Sequence, residues 1–158
     1  MRIPLFGKPE HFFVAAGLGT GHTDLTAFDA ALLEAGVGNY NLLKVSSIVP
    51  ADALQETRVT LPQGSLLPIA YGSTCTAEPG VRVTAAVSVA LPEQGEVGLI
   101  MEYSGNLPEE EARRLVRRMA IEALALRGTR PREILVKSAS GVAENGLWMC
   151  AFAGVALW

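Results

Sequence analysis

Residues 80–103 place the strongest constraint on the fold. Gly80 to Ala90 is rich in β-branched side chains, and Val81, Val83, Val87 and Val89 recur at period two, with a slip at Ala85-Ala86. Pro92-Glu93-Gln94-Gly95 then turns the chain, and Val97 to Tyr103 returns as a partner. Alternation on both sides of a turn signal predicts an antiparallel hairpin. The clearest helix of the chain follows it. Pro108 sits in its first turn, and Glu109, Glu110 and Glu111 favour the positive end of the dipole. Ala112, Leu115, Val116, Met119, Ala123 and Leu126 form a continuous apolar face, and Gly128 ends it. A hairpin followed by an amphipathic helix calls for a sheet covered by a helical layer.

The flanking segments extend the pattern. His11 to Ala16 reads as a first strand, followed by the cluster Gly17-Leu18-Gly19-Thr20-Gly21. A first helix comes next, capped by Thr23 or Asp24, with Leu25, Phe28, Leu32 and Ala35 on one face and Gly36 at its C-terminal end. Asn41 to Pro50 is a short apolar segment, expected as one strand broken at Pro50. Pro62-Gln63-Gly64-Ser65 is a turn signal, and Leu66 to Tyr71 a strand. Glu133 to Ser138 and Leu147 to Trp158 are the last strands, separated by Gly141 to Gly146. This order is α+β rather than a βαβ repeat.

At 158 residues the chain is expected to form one domain, 1–158. Its 49 % hydrophobic residues supply a core, and a net charge of −3 argues against both disorder and a nucleic-acid partner. Charged residues are only 18 %, below the usual quarter, which suggests that another subunit covers part of the surface. No stretch reaches the ~18 apolar residues of a membrane span, and the N-terminus has no secretion signal. A cytoplasmic location is expected, with Cys75 and Cys150 as reduced, mostly buried thiols.

Few local motifs carry chemistry alone. The glycine cluster lacks the G-x-G-x-x-G order of a dinucleotide fingerprint and the Lys-Ser or Lys-Thr of a phosphate loop. It fits a tight turn, or backbone packed against something large. His11, His22, Cys75 and Cys150 have no zinc-ligand spacing, so no metal is expected. Arg113, Arg114, Arg117 and Arg118 are balanced by the preceding glutamates and read as a solvated face. Ser46-Ser47 stands out as two hydroxyls within an apolar strand, where burial would demand hydrogen-bond partners.

Taken together, these segments resemble a known family. Asn41-Leu42-Leu43-Lys44-Val45-Ser46-Ser47-Ile48-Val49-Pro50 is similar to the self-cleavage segment of the pyruvoyl-dependent arginine decarboxylases. The glycine run with Leu25-Thr26-Ala27-Phe28-Asp29-Ala30-Ala31-Leu32 matches that family too. So does Gly98-Leu99-Ile100-Met101-Glu102-Tyr103-Ser104-Gly105, and the resemblance covers essentially the whole chain. It departs at Ala51, where a second proline is frequent, and at Thr20 and His22, where small polar residues are expected.

The resemblance implies an αββα sandwich, with stacked antiparallel β-sheets between helical layers, as in pyruvoyl-dependent histidine decarboxylase. It implies a precursor that cuts itself between Ser46 and Ser47 into a small chain, 1–46, and a large chain, 47–158. The Ser47 hydroxyl attacks the Ser46 carbonyl, converting the peptide bond to an ester. Elimination leaves a dehydroalanine, which hydrolyses to a covalently bound pyruvoyl group. That group substitutes for pyridoxal phosphate by forming a Schiff base with the substrate amine and taking up the charge left when carbon dioxide departs. The implied activity is a carbon–carbon lyase converting L-arginine to agmatine, a polyamine precursor.

By the same resemblance, Ser47, Glu102 and Asn41 are the catalytic residues. Glu102 reprotonates the α-carbon, and Asn41 orients the peptide or substrate through its amide. Asp29 would receive the substrate guanidinium as a bidentate pair, with Leu25 shaping the pocket. The implied assembly is a trimer of processed protomers, or a dimer of trimers, with the pocket between subunits. Two alternatives stay open: a decarboxylase of another basic amino acid, or an unprocessed paralogue that forms trimers or binds small molecules without catalysis.

Overall fold

The computed structural model describes residues 7–93 and 95–158. Met1–Phe6 and Gln94, the latter in the expected 92–95 turn, lie outside the described residues. In chain order the elements are β1 (His11–Gly21), α1 (Asp24–Ala35), β2 (Asn41–Lys44), β3 (Ile48–Val49), β4 (Leu54–Gln55) and β5 (Leu66–Thr76). They continue with β6 (Arg82–Leu91), β7 (Gly98–Gly105), α2 (Glu109–Ala125), β8 (Glu133–Val142) and β9 (Trp148–Leu157). The expected hairpin is β6–β7, running in register from Thr84 opposite Gly105 to Ala90 opposite Leu99.

Two sheets result, one ordered β2-β5-β9-β1-β4 and the other β3-β7-β6-β8. All pairings are antiparallel except the short edge pairs β1–β4 and β2–β5. The sheets stack face to face over Phe12, Val14, Val87, Val89, Ile100 and Val155. Helix α1 covers the outer face of the five-stranded sheet, against Ala15, Ile69 and Phe152. Helix α2 covers the outer face of the four-stranded sheet, against Ala86, Ala90 and Leu99. The architecture is the α+β sandwich of stacked sheets between helices. Each fully buried large side chain, such as Phe12, Phe152 or Ile100, contributes about 1.5–3 kcal/mol through removal of apolar surface from water.

The glycine cluster is the last part of β1, not a turn. Its odd-numbered positions face α1. A methyl on Gly17 would overlap the Ala31 carbonyl, one on Gly19 the Ala31 amide, and one on Gly21 the Ala27 amide. The glycines therefore let the helix main chain lie directly on the strand. The buried stripe of α1 is accordingly Ala27, Ala31, Leu32 and Ala35, while Leu25 is 71 % exposed and Phe28 only half-buried. The expected stripe is corrected at Leu25, which is exposed, and gains Ala27 and Ala31, since close approach selects the smallest residues. Thr23 caps α1, accepting from the Thr26 amide at 3.1 Å, and Gly36 ends it in the left-handed region at φ 82°.

In α2 the predicted Ala112, Val116 and Ala123 are buried, Leu115 and Met119 are half-buried, and Ala120 and Leu124, which the spacing did not single out, complete the buried stripe. Leu126 lies past the helix end and is 82 % exposed. Pro108 is the residue before the first turn rather than within it. Cys75 and Cys150 are not the reduced thiols expected. They face each other across β5–β9 with Cα atoms 4.1 Å apart, and a disulfide joins them. Their sequence separation of 75 conceals a proximity that only the strand register creates. Among the described residues no helix is long and apolar enough to cross a membrane.

Candidate active site

The site is built where the chain changes sheets. Residues 41–50 do not form one strand. Asn41 to Lys44 run beside Leu66 to Ile69 in the five-stranded sheet, and the Val45 amide donates to the Ile69 carbonyl at 3.1 Å. Ile48 and Val49 pair with Leu99 and Gly98 in the other sheet, and the Ile100 amide donates to the Ser47 carbonyl at 2.8 Å. The Ser46–Ser47 bond is thus the bridge between the sheets, with the chain held on each side of it. Neither hydroxyl is a buried core group, contrary to the expectation from the apolar flanks: Ser46 is exposed and Ser47 half-buried at a bend. A segment crossing between two ladders leaves both sheet edges and therefore the core.

Beside Ser46 a cleft of about 320 Å³ opens, lined by Leu43, Val45, Ile48, Pro68 and Leu157. Its walls are almost wholly apolar, which lowers the local dielectric beside Ser46.

Glu102 lies on β7 two residues beyond Ile100, on the same face of the strand, and therefore points between the sheets. Gly72 of β5 lies opposite it. A methyl placed on Gly72 would reach the Glu102 Cγ at 3.5 Å, so a glycine here leaves the carboxylate room against the facing sheet. Burial holds the Glu102 carboxyl above the usual carboxylate range, while the charge of Lys44 pulls it down. Lys44 is the last residue of β2, with its Nζ 4.6 Å from the centre of the Tyr71 ring.

Ser47 is therefore tied to β7 two residues from Glu102, and Gly72 faces Glu102 from the other sheet. Asn41 is at the other end of β2. Its amide Nδ2 donates to the Gly64 carbonyl at 2.8 Å, and its main-chain amide donates to Ser65 at 2.9 Å. In the protomer it fastens the 62–65 turn to β2. Asp29 and Leu25 are exposed on α1, outside the five-stranded sheet, whereas Glu102 lies inside it. Among the described residues no hydrogen bond or ion pair joins Asp29 to Ser47 or Glu102. Among the described residues, no three His, Cys, Asp or Glu side chains gather as metal ligands.

Comparison with known proteins decides the family. The model of the family described as pyruvoyl-dependent arginine decarboxylase matches residues 11–158. The chain belongs to that family. A pyruvoyl-dependent arginine decarboxylase of Methanocaldococcus jannaschii is 42 % identical over 154 residues, 97 % of this chain and 92 % of the relative. The protein of that name in Methanococcus aeolicus is 43 % identical over the same shares of the two chains. The one in Pyrococcus abyssi is 44 % identical over 133 residues, 83 % of this chain and 84 % of its own.

Membership implies a covalently bound pyruvoyl group, and the residues at the sheet crossing fit one. Among the described residues, the Ser46 carbonyl and the Ser47 amide make no main-chain hydrogen bond, while Val45 and Ser47 on either side are tied down. A peptide bond free of both ladders yet held at its ends can rearrange without disturbing either sheet. The apolar cleft beside it would shelter the ketone.

Proposed function

We propose that the protein decarboxylates L-arginine to agmatine and carbon dioxide, using a pyruvoyl group made from Ser47. The observation that carries this is the Ser46–Ser47 bond suspended between two sheets, with half-buried Glu102 on the adjoining strand. The pyruvoyl group, once present, supplies an electron sink for the charge left on the α-carbon. The chain's own residues do the rest. The Ile100 amide fixes the Ser47 carbonyl and hence the register of the new N-terminus. Glu102, whose carboxyl is raised by burial, retains a proton to a higher pH than an exposed carboxylate and can deliver it to the α-carbon.

Cleavage would give chains 1–46 and 47–158. Their strands alternate in the five-stranded sheet: β2 and β1 come from the first, β5, β9 and β4 from the second. Ten residue pairs join β1 to β9 from Phe12 to Gly21. His11 Nδ1 also meets Glu56 Oε1 at 2.9 Å across the two products. Such interleaving supports a stable complex without a covalent link.

Asp29 as guanidinium receptor, Leu25 as pocket wall and Asn41 as an orienting amide belong to the same proposal. In one protomer Asp29 and Glu102 lie on opposite sides of a sheet, so a pocket using both is completed by a neighbouring subunit. A trimer, alone or paired with a second, accommodates this. The exposed Leu25, at 71 %, and Ile48, at 39 %, are apolar surface for such a contact to cover.

The test is denaturing mass spectrometry of the purified protein, followed by assay with arginine. Two chains are expected, the larger starting at residue 47 and about 17 Da lighter than a serine-started chain, the mass of the ammonia lost. Agmatine should then form from arginine. A single chain of 16.7 kDa that does not convert arginine would overturn the proposal. Faster turnover of lysine or ornithine would replace the substrate but keep the chemistry.

A further inference from the structure

Decarboxylation consumes one proton at every turnover: the carboxylate leaves as carbon dioxide, and a C–H bond takes its place on the α-carbon. Where Glu102 gives that proton, solvent must return it before the next cycle. Glu102 is half-buried, and among the described residues its carboxyl makes no hydrogen bond or ion pair. The path by which solvent reaches it is therefore part of the reaction.

The strand edges supply an opening. Strand β2 stops at Lys44, opposite Ile69, and β3 reaches only to Leu99 and Gly98 of β7. Beyond these points, among the described residues, no strand flanks β5 or β7 on the side where Ser46–Ser47 crosses. Residues 71–76 and 102–105 thus form two bare edges beside the proposed scissile bond. Pleat alternation turns Gly72 and Thr74 of β5, and Glu102 and Ser104 of β7, into the space between the sheets. Ser104 is exposed although it faces the opposite sheet, which puts the mouth of the opening there. Gly72 connects the two side chains of β7. A methyl on it would lie 3.4 Å from the Ser104 Oγ and 3.5 Å from the Glu102 Cγ. Hydroxyl and carboxyl thus border one small space that a glycine leaves unfilled.

The other side chains around Glu102 offer no such path. In register with it on the same face are Val87 of β6 and Lys137 of β8. The Lys137 ammonium turns away, donating to the Val14 carbonyl at 3.4 Å, with its Nζ 5.6 Å from the centre of the Phe13 ring. Lys44 sits over Tyr71, which packs against Phe28 on the α1 side of its sheet. The facing strand β9 presents Ala151, Ala153 and Val155. Thr74 stands two residues farther along β5, whereas Ser104 and Glu102 both meet Gly72 itself.

We propose that Ser104 is a positioning residue that relays solvent protons to Glu102 across the gap at Gly72. This rests on the acid role proposed for Glu102. When turnover leaves the carboxylate, the Ser104 oxygen takes a proton from solvent as its own proton passes, through a water over Gly72, to a Glu102 oxygen. Hydroxyl and carboxyl are both restored.

The experiment compares wild type with Ser104→Ala, Ser104→Thr, Gly72→Ala and Glu102→Gln, with turnover expressed per processed chain as counted by mass spectrometry. kcat and KM for arginine are measured in water and in deuterium oxide. Ser104→Ala should lower kcat about tenfold, less than the ~100-fold or more expected for loss of the acid itself. Its KM should stay unchanged and its solvent isotope effect on kcat should rise, because proton return then limits the cycle. Ser104→Thr keeps the hydroxyl and should restore both. A methyl on Gly72 makes only ordinary contacts, so Gly72→Ala should fold and reproduce the Ser104→Ala behaviour by filling the gap. Wild-type kcat in Ser104→Ala beside an inactive Glu102→Gln overturns the relay and leaves the acid standing. A loss that Ser104→Thr does not restore, or an unchanged isotope effect, overturns the relay as well. An active Glu102→Gln overturns the acid and the relay with it.

Discussion

The two helices cover their sheets in different ways. Helix α1 presents Ala27, Ala31 and Ala35 to a strand carrying Gly17, Gly19 and Gly21, so main chain meets main chain. Helix α2 presents Val116 and Leu124 to Ala86, Ala90 and Leu99, so side chains fill the space. It also takes a buried hydroxyl, since Ser88 donates to the Val116 carbonyl at 2.7 Å. The first interface has no slack and the second has a little. Stiffness is therefore concentrated on the side that carries Asp29 and supports Tyr71.

Substitutions should separate the two interfaces, and the largest effect belongs to α1. Gly19→Val is expected to lose about 4 kcal/mol or more, or to abolish folding, because a new side chain meets helix backbone that cannot give way. Urea unfolding monitored by circular dichroism measures it. Ala31→Gly should fail to rescue Gly19→Ala, since the obstructing atoms are the Ala31 amide, the Ala27 carbonyl and the Ala30 carbonyl carbon. A double-mutant cycle with strong recovery would mean that the helix can move off the strand. Leu124→Ala under α2 should cost about 2–4 kcal/mol through a cavity, with the fold retained. Ser88→Ala should cost about 1–3 kcal/mol, having left the Val116 carbonyl without that donor.

The smallest effect lies between the sheets. Glu102 has its carboxyl raised in the folded state, so the stability it contributes is present in acid and is lost as pH rises through the folded value. Glu102→Gln does not titrate. Its melting temperature should therefore gain on wild type as pH rises from acid towards neutrality. A difference independent of pH would mean that Glu102 is not desolvated in solution.

The contrast between the helices also explains what could be read from the sequence. The face of α2 was legible in part because Ala112, Val116 and Ala123 differ sharply in hydropathy from the charged residues between them, although Ala120 and Leu124 complete the buried stripe and Leu126 does not join it. The stripe of α1 was legible only at Leu32, Ala35 and half-buried Phe28, because alanine facing glycine leaves hardly any hydropathic trace and Leu25 drew attention to an exposed position. The hairpin followed from alternation alone. The sheet change at Ser46–Ser47 did not, since both flanks are apolar and either ladder could have extended through them. Ser47 and Glu102 entered through a family resemblance over the whole chain. The Cys75–Cys150 disulfide and the meeting of Lys44 with Tyr71 depend on strand order, which no local pattern encodes.

If the chain is cut after Ser46 as proposed, the interleaving of 1–46 with 47–158 has a kinetic consequence. Before the bond is cut, β1 and β9 find each other within one chain, and closing the loop costs the same at any dilution. Afterwards the same ten pairs must form between two molecules, so unfolding releases a fragment into solution and refolding becomes second order. The mature enzyme would then persist in dilute solution because it unfolds slowly, and a denatured sample would recover poorly even with every native contact still encoded. Maturation of this kind works in one direction: the fold is assembled as a tethered chain and afterwards kept by its barrier to opening.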